Sequence, residues 1–269
     1  YKSIANNQGT PGTTPTANTT WLTAASKIFD QAGPNKGLKA VLDVASQIAL
    51  VNANFTIFNP QGKISENYNE GRFAGPALGI DEWMTDQNMP SHTTGTFTSS
   101  TPVVDTASQT GSTITSNGWA SNASFLKAGD VIEFSGVYQV NPLSKVSTGR
   151  LAQFTLTADC NDTSGTMSLL ISPSLITSGS LQNVTGAPAL NAPVYVWNTR
   201  STTYALSTTA SKQNLIFHRD AFAGVMADLA DPIAGAKASF ARSKDMNISI
   251  RLVQQYLLQP DQNGTRLDC

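Results

Sequence analysis

Cysteine is almost missing from this chain: Cys160 and Cys269 are the two it has in 269 residues. A disulfide framework is therefore not indicated, and a chain of this length does not need one to be stable. Both thiols read as small buried or incidental side chains. Histidine is as scarce, with only His92 and His218, which excludes a histidine-rich metal site. Charged residues make up 13%, about half the usual share. The net charge of −1 gives no global pull toward nucleic acid or an anionic membrane. Lys and Arg are scattered singly, so sequence-specific DNA binding is not expected. No stretch approaches the roughly 18 apolar residues of a membrane span, and Tyr1-Lys2-Ser3-Ile4 opens without an apolar signal core or an initiator Met.

What the chain does have is a hydrophobic fraction of 40%, spread along nearly its whole length, which supports packed cores and excludes a disordered composition. Ser and Thr together fill roughly a fifth of it, a bias of β-rich, turn-rich proteins. Residues 1–18 are rich in Gly, Pro, Thr and Asn and read as a loop. A helix then follows a cap at Thr19 or Thr20, with Trp21, Leu22, Ala25, Ile28 and Phe29 on one face, and Gly33-Pro34 stops it. Leu38 to Leu42 reads as a short buried strand. A second amphipathic helix carries Val44, Ile48, Val51 and Phe55, and a shorter one runs from Ile64 to Phe73. This first part reads as α+β, and residues 77–94 turn extended.

After Gly95 helical periodicity disappears. Residues 95–212 hold short strands separated by turn chemistry. Val131 to Val140 is one, reached through the turn Lys127-Ala128-Gly129-Asp130; Leu151 to Ala158 is another. Asn161-Asp162-Thr163-Ser164-Gly165 closes a hairpin onto Met167 to Ile171. Val194 to Trp197 is a further strand, and Asn117-Gly118 and Ser178-Gly179 mark turns. The block reads as a separate small β-barrel or sandwich inserted into the α+β host. Beyond it, Met246, Ile248, Ile250 and Leu252 alternate along a long strand. A turn at Pro260 to Gly264 then leads into a strand that stops at Cys269. The chain reads as cut at both ends.

Catalytic constellations are hard to find. His218-Arg219-Asp220 mimics the base-bearing loop of protein kinases, but Val225 stands where that loop needs a metal-binding Asn, and no Gly-rich phosphate loop precedes it. The expectation is an Arg and Asp at a strand end or turn. Asp159 to Gly165 resembles a calcium loop, yet Ser164 holds the glycine position and Leu170 the place of the bidentate Glu, so a hairpin turn is expected. Glu66 and Glu70, at i and i+4, read as a solvated helix face. His92 and His218 are expected as satisfied surface or interface residues. No catalytic, cofactor-binding or metal-ligating residue is assigned, no cofactor is implied, and the chain reads as a structural or binding protein.

Particular segments go further than composition. Asn214-Leu215-Ile216-Phe217-His218-Arg219-Asp220-Ala221-Phe222, followed by Ala227-Asp228-Leu229, resembles a segment of the coat proteins of short-tailed bacteriophages. The similar branch is the one whose shell subunit carries an extra inserted β-barrel. Leu126 to Ile132, Gly136 to Pro142, Ser147 to Phe154, Thr157 to Asp159, Ser249 to Tyr256 and Thr265 to Asp268 resemble further segments in the same order. His92-Thr93-Thr94-Gly95 is similar to the point where the insertion begins.

The resemblance implies the Hong Kong 97-type capsid fold, α+β, with apical and peripheral domains. Residues 1–94 would be the first part of that core, 95–212 the inserted β-barrel domain, and 213–269 the return to the core in long strands. The family's N-terminal arm, extended loop, much of its spine helix and its last peripheral strand are not found, and a chain without them is not expected to close a shell alone.

It implies a major capsid protein, not an enzyme, that assembles as pentamers and hexamers into an icosahedral head. Scaffolding, portal and decoration proteins would be its partners, and packaged double-stranded DNA would be touched without sequence preference. No membrane partner is expected. The virion capsid would be its place, after assembly in the bacterial cytoplasm. The alternative from the residues alone is a secreted carbohydrate-binding or adhesion module, suggested by the Thr-rich β block and by Asn-x-Ser/Thr triplets such as those at Asn122 and Asn183. An enzyme ranks third.

Overall fold

The computed structural model describes residues 18–54, 76, 79–196, 204–206, 208, 210–224, 226–227, 230, 237–243, 248–257 and 262–268. They divide into two compact units, one up to Ala221 and one from Phe222 onward. The expected loop over most of 1–18 and the helix from Ile64 to Phe73 lie outside the described residues. So do Phe55, Glu66, Glu70 and Trp197.

In chain order the first unit opens with helix α1 (Asn18–Asp30), strand β1 (Leu38–Leu42) and helix α2 (Val44–Asn54). Strands β2 (Glu82–Thr85), β3 (Ser91–Thr93), β4 (Phe97–Ser100), β5 (Val103–Val104), β6 (Gly111–Asn117) and β7 (Phe125–Leu126) follow. Then come β8 (Val131–Val140), β9 (Ser147–Leu156), β10 (Cys160–Asn161), β11 (Met167–Leu175) and β12 (Val194–Val196). Strands β13 (Tyr204–Leu206), β14 (Ala210–Lys212) and β15 (Leu215–His218) complete the unit. The second unit holds β16 (Lys237–Arg242), β17 (Ser249–Leu257) and β18 (Gln262–Asp268). Among the described residues strands thus far outnumber helices.

The helical part is built around β1. Its alternation buries Leu38, Ala40 and Leu42 on one face, where they join Ala24 and Ile28 of α1, Leu50 of α2, Ile80 and Ile216. β1 pairs in parallel with β2 and antiparallel with β15, and Lys39 meets its register partner Glu82 in an ion pair of 2.7 Å. Helix α1 starts at Asn18, so Thr19 and Thr20 fall inside its first turn and not at the cap, a shift within the usual fraying of helix ends. It ends in a Schellman motif: Gly33 N–H donates to Ile28 C=O at 2.9 Å and Ala32 N–H to Phe29 C=O at 3.0 Å. Ala32 takes the left-handed position at φ 61°, and Gly33 is required because a Cβ there would lie 2.6 Å from Ile28.

On α1 Ala25 and Ile28 lie at the core as expected, beside Ala24, but Phe29 is corrected: it is 59% exposed. The second face needs a larger correction. On α2 Val44 and Ile48 face outward, while Ser46 and Leu50 form the buried line. Ser46 is drawn inward because its hydroxyl accepts the Asn214 side-chain amide at 2.9 Å, so a polar residue replaces an apolar one without leaving an unmet group.

The β block is centred on a six-stranded sheet in the order β12-β8-β9-β11-β6-β5. Ile132, Phe134, Phe154, Leu156, Leu169 and Ile171 are among the side chains of its one continuous core. Phe97 meets Trp119 edge to face, ring centres 5.3 Å apart. Trp119 Nε1–H donates to Ser116 Oγ, which donates in turn to Met167 C=O, so the buried indole keeps a partner. The expected hairpin is present as a tight turn in which Thr163 and Thr166 exchange backbone hydrogen bonds. Positive φ at both Ser164 and Gly165 makes it type I′. The second unit is an antiparallel ribbon in the order β16-β17-β18. The expected long strand is present from Ser249 to Leu257, and Met246 lies outside the described residues.

Candidate functional site: the neck of the β block and its apolar rim

The sequence motifs that imitate chemistry resolve into local structure. β15 ends at His218, and Arg219 and Asp220 lie in the turn after it, their side chains 70% and 72% exposed and 3.6 Å apart. Arg219 N–H donates to Gly37 C=O at 3.1 Å, which fastens this turn to the start of β1. In the loop resembling a calcium site, both oxygens of Asp162 are spent on backbone. Oδ1 accepts from Ser124 N–H at 2.8 Å, and Oδ2 from Asn122 N–H at 2.6 Å and Gly165 N–H at 3.2 Å. Burial pushes this carboxyl up, but the surrounding N–H donors outweigh it and hold Asp162 below the usual carboxylate range. Cys160 is buried, and burial raises its thiol pKa, so it is a poor nucleophile. Among the described residues no three of His, Cys, Asp and Glu gather as a metal site.

The most organised polar cluster is where the chain passes into and out of the β block. The inbound strand β3 pairs antiparallel with the outbound β14, Thr93 opposite Ala210 and Ser91 opposite Lys212. β4 and β13 extend the same two-stranded path. Lys212 Nζ adds a hydrogen bond to Met89 C=O at 3.1 Å. At its centre sits Asp130, fully buried. One carboxylate oxygen lies 2.8 Å from His92 Nε2. The other accepts from Lys127 N–H at 2.9 Å and Gly95 N–H at 3.1 Å. A buried charge is tolerated only with such a set of donors.

The neck is also sterically closed. A Cβ on Gly129, whose φ is 101°, would lie 2.9 Å from the His92 ring. One on Gly95 would lie 2.1 Å from the Phe125 carbonyl oxygen. His92, expected at a surface or interface, is therefore a partly buried side chain of this joint. Sequence reading marks Lys127-Ala128-Gly129-Asp130 as a turn but gives no sign that it closes on a histidine 38 residues earlier.

Several large apolar side chains stay in solvent. Leu143 and Leu181 are 82% and 75% exposed. They stand on neighbouring loops of the β block, since Lys145 Nζ bonds to Ser180 C=O at 2.6 Å. In the ribbon Phe240, Tyr256 and Leu267 are exposed.

Comparison with known proteins completes the picture. The family model described as "P22 coat protein - gene protein 5" matches residues 6–268. A solved structure described as "CUS-3 coat protein I-domain" is 22% identical, covers 35% of this chain and 92% of that chain, and superposes with a TM-score of 0.27. No curated relative matches the chain.

Proposed function

We propose that this chain builds a shell of the Hong Kong 97 type, and the premise is its family: the chain belongs to the P22 coat protein family. It is a major capsid protein, a structural component of a bacteriophage virion whose copies assemble into a many-subunit capsid. The observation that carries this is the family match over residues 6–268.

Finer statements are our reading. Residues 1–94 and 213–269 would supply an α+β core with apical and peripheral parts, and 95–212 an inserted β domain that braces the subunit. Pentamers and hexamers would close an icosahedral head with scaffolding, portal and decoration proteins as helpers. Assembly would occur in the bacterial cytoplasm, around or before the packaging of double-stranded DNA. Contact with that DNA would be weak and without sequence preference, in keeping with a net charge of −1.

Physical chemistry supports a non-enzymatic role. A shell subunit needs many modest contacts between identical copies, with no single strong one. Few charges and exposed Phe240, Tyr256 and Leu267 suit such contacts. No observation favours the carbohydrate-binding alternative, which leaves α1 and α2 without a role. Negative-stain microscopy of the full-length polypeptide co-expressed with its helper proteins tests the proposal. Closed particles with five- and six-fold rings are expected, and a uniformly monomeric sample contradicts it.

A further inference from the structure

Among the described residues, two joints of different chemistry connect the β block to the helical part of its own unit. At the neck the joint is backbone ladder, buried Asp130 and two glycines that admit no side chain. The second joint is polar and made by side chains. Arg150 of β9 forks onto the last turn of α1: its Nε lies 3.0 Å from the Asp30 carboxylate and its Nη2 donates to Ser26 Oγ at 3.0 Å. Asn141 at the end of β8 donates its amide to Asp30 C=O at 2.9 Å. One turn earlier, Lys27 Nζ donates to Gln153 Oε1 at 2.9 Å, and Gln153 passes a hydrogen bond of 2.7 Å to Glu133. The apolar clusters on the two sides remain separate.

We infer that this second contact is a releasable latch, and that the β block is a lever pivoting on the neck when it opens. The geometry gives each joint its character. Ion pairs as exposed as Arg150–Asp30, at 36% and 31%, hold weakly and are screened by salt. A backbone ladder closed around a fully buried, fully bonded Asp130, with no room for a Cβ at Gly95 or Gly129, does not slip. The latch also has a built-in reporter. A helix end leaves carbonyls unmet and favours a nearby cation. Asn141 and Arg150 supply the acceptor's partner and that cation from more than a hundred residues away. Opening the latch therefore frays the last turn of α1 and leaves the block's core untouched. The latch belongs to the single chain and operates whether or not copies of it close a shell.

Hydrogen–deuterium exchange on the whole chain reads this directly. In Arg150→Asp, amides of residues 28–33 should exchange about fivefold faster, with Met167–Leu175 unchanged. The charge swap Asp30→Arg with Arg150→Asp should bring residues 28–33 most of the way back. Raising salt should speed the same amides in the wild type and not in Arg150→Asp. Unchanged exchange at 28–33 in Arg150→Asp overturns the inference. So does faster exchange of Met167–Leu175 in step with α1, which would make the pair part of the block's fold. A swap that folds with an unchanged block yet restores nothing overturns it as well.

Discussion

The β block and the three-stranded ribbon are both antiparallel β structure, yet they handle apolar side chains in opposite ways. The block turns Ile132, Phe134, Phe154, Leu156, Leu169 and Ile171 into one core beneath its six-stranded sheet. The ribbon, among its described residues, contributes to no such cluster, and Phe240, Ile250, Tyr256 and Leu267 face solvent. What orders the ribbon instead is its ladder and one charged knot. Arg251 Nη2 lies 2.6 Å from Asp268 Oδ2, with Arg266 on the other oxygen. A few strands without a buried face are marginal in water. The block thus buries its own apolar side chains, whereas several described ones of the ribbon stay exposed.

The largest effect should come from the block's core. Phe134→Ala removes a fully buried ring and should cost about 3–5 kcal/mol in urea unfolding. A loss under about 1 kcal/mol would mean that the block is no better packed than the ribbon. Next is the neck. Asp130→Ala leaves His92 and two backbone N–H groups without their acceptor and should cost about 2–4 kcal/mol in the same assay. In the ribbon Arg251→Ala should cost about 1 kcal/mol. Its mark should be faster amide exchange confined to residues 249–268.

Acid sharpens the comparison further. Asp162 in the block is held low by backbone donors that outweigh its burial, and Asp268 in the ribbon first of all by Arg251. Both have folded pKa values below the unfolded value of 3.8, so their contributions are present above that pH and fade as pH falls below it. Unfolding midpoints of wild type and Asp162→Asn should therefore converge as the pH is lowered from 5 to 3. A constant gap would contradict the assignment. The smallest effect should be Leu267→Ser, within about 0.5 kcal/mol for the isolated chain, while assembly yield drops.

Much of this fold is legible in the sequence where apolar, β-branched and aromatic residues cluster between turn signals. β1 and β8 run over the residues such clusters mark, Leu38–Leu42 and Val131–Val140. β9 begins at Ser147 and not Leu151, because Ser147-Thr148-Gly149-Arg150 pair through their backbone with no apolar alternation to reveal it. The neck is illegible for the same reason. Strands β3, β13 and β14 are three residues each, and their pairing is fixed by partners more than a hundred residues away. On α2, periodicity points to Val44 and Ile48 as the inner face, whereas the buried pair is Leu50, in the apolar core, and Ser46, bonded to Asn214. The buried role of Asp130 has no local signal beyond an Asp after a turn glycine.

Sedimentation velocity of the full-length polypeptide across a concentration series, with and without Phe240→Ser and Leu267→Ser, bears most directly on the capsid account. It predicts concentration-dependent growth into rings and shells that the two substitutions suppress while the folded monomer persists. A wild-type protein that stays monomeric at every concentration and beside its helper proteins would contradict it.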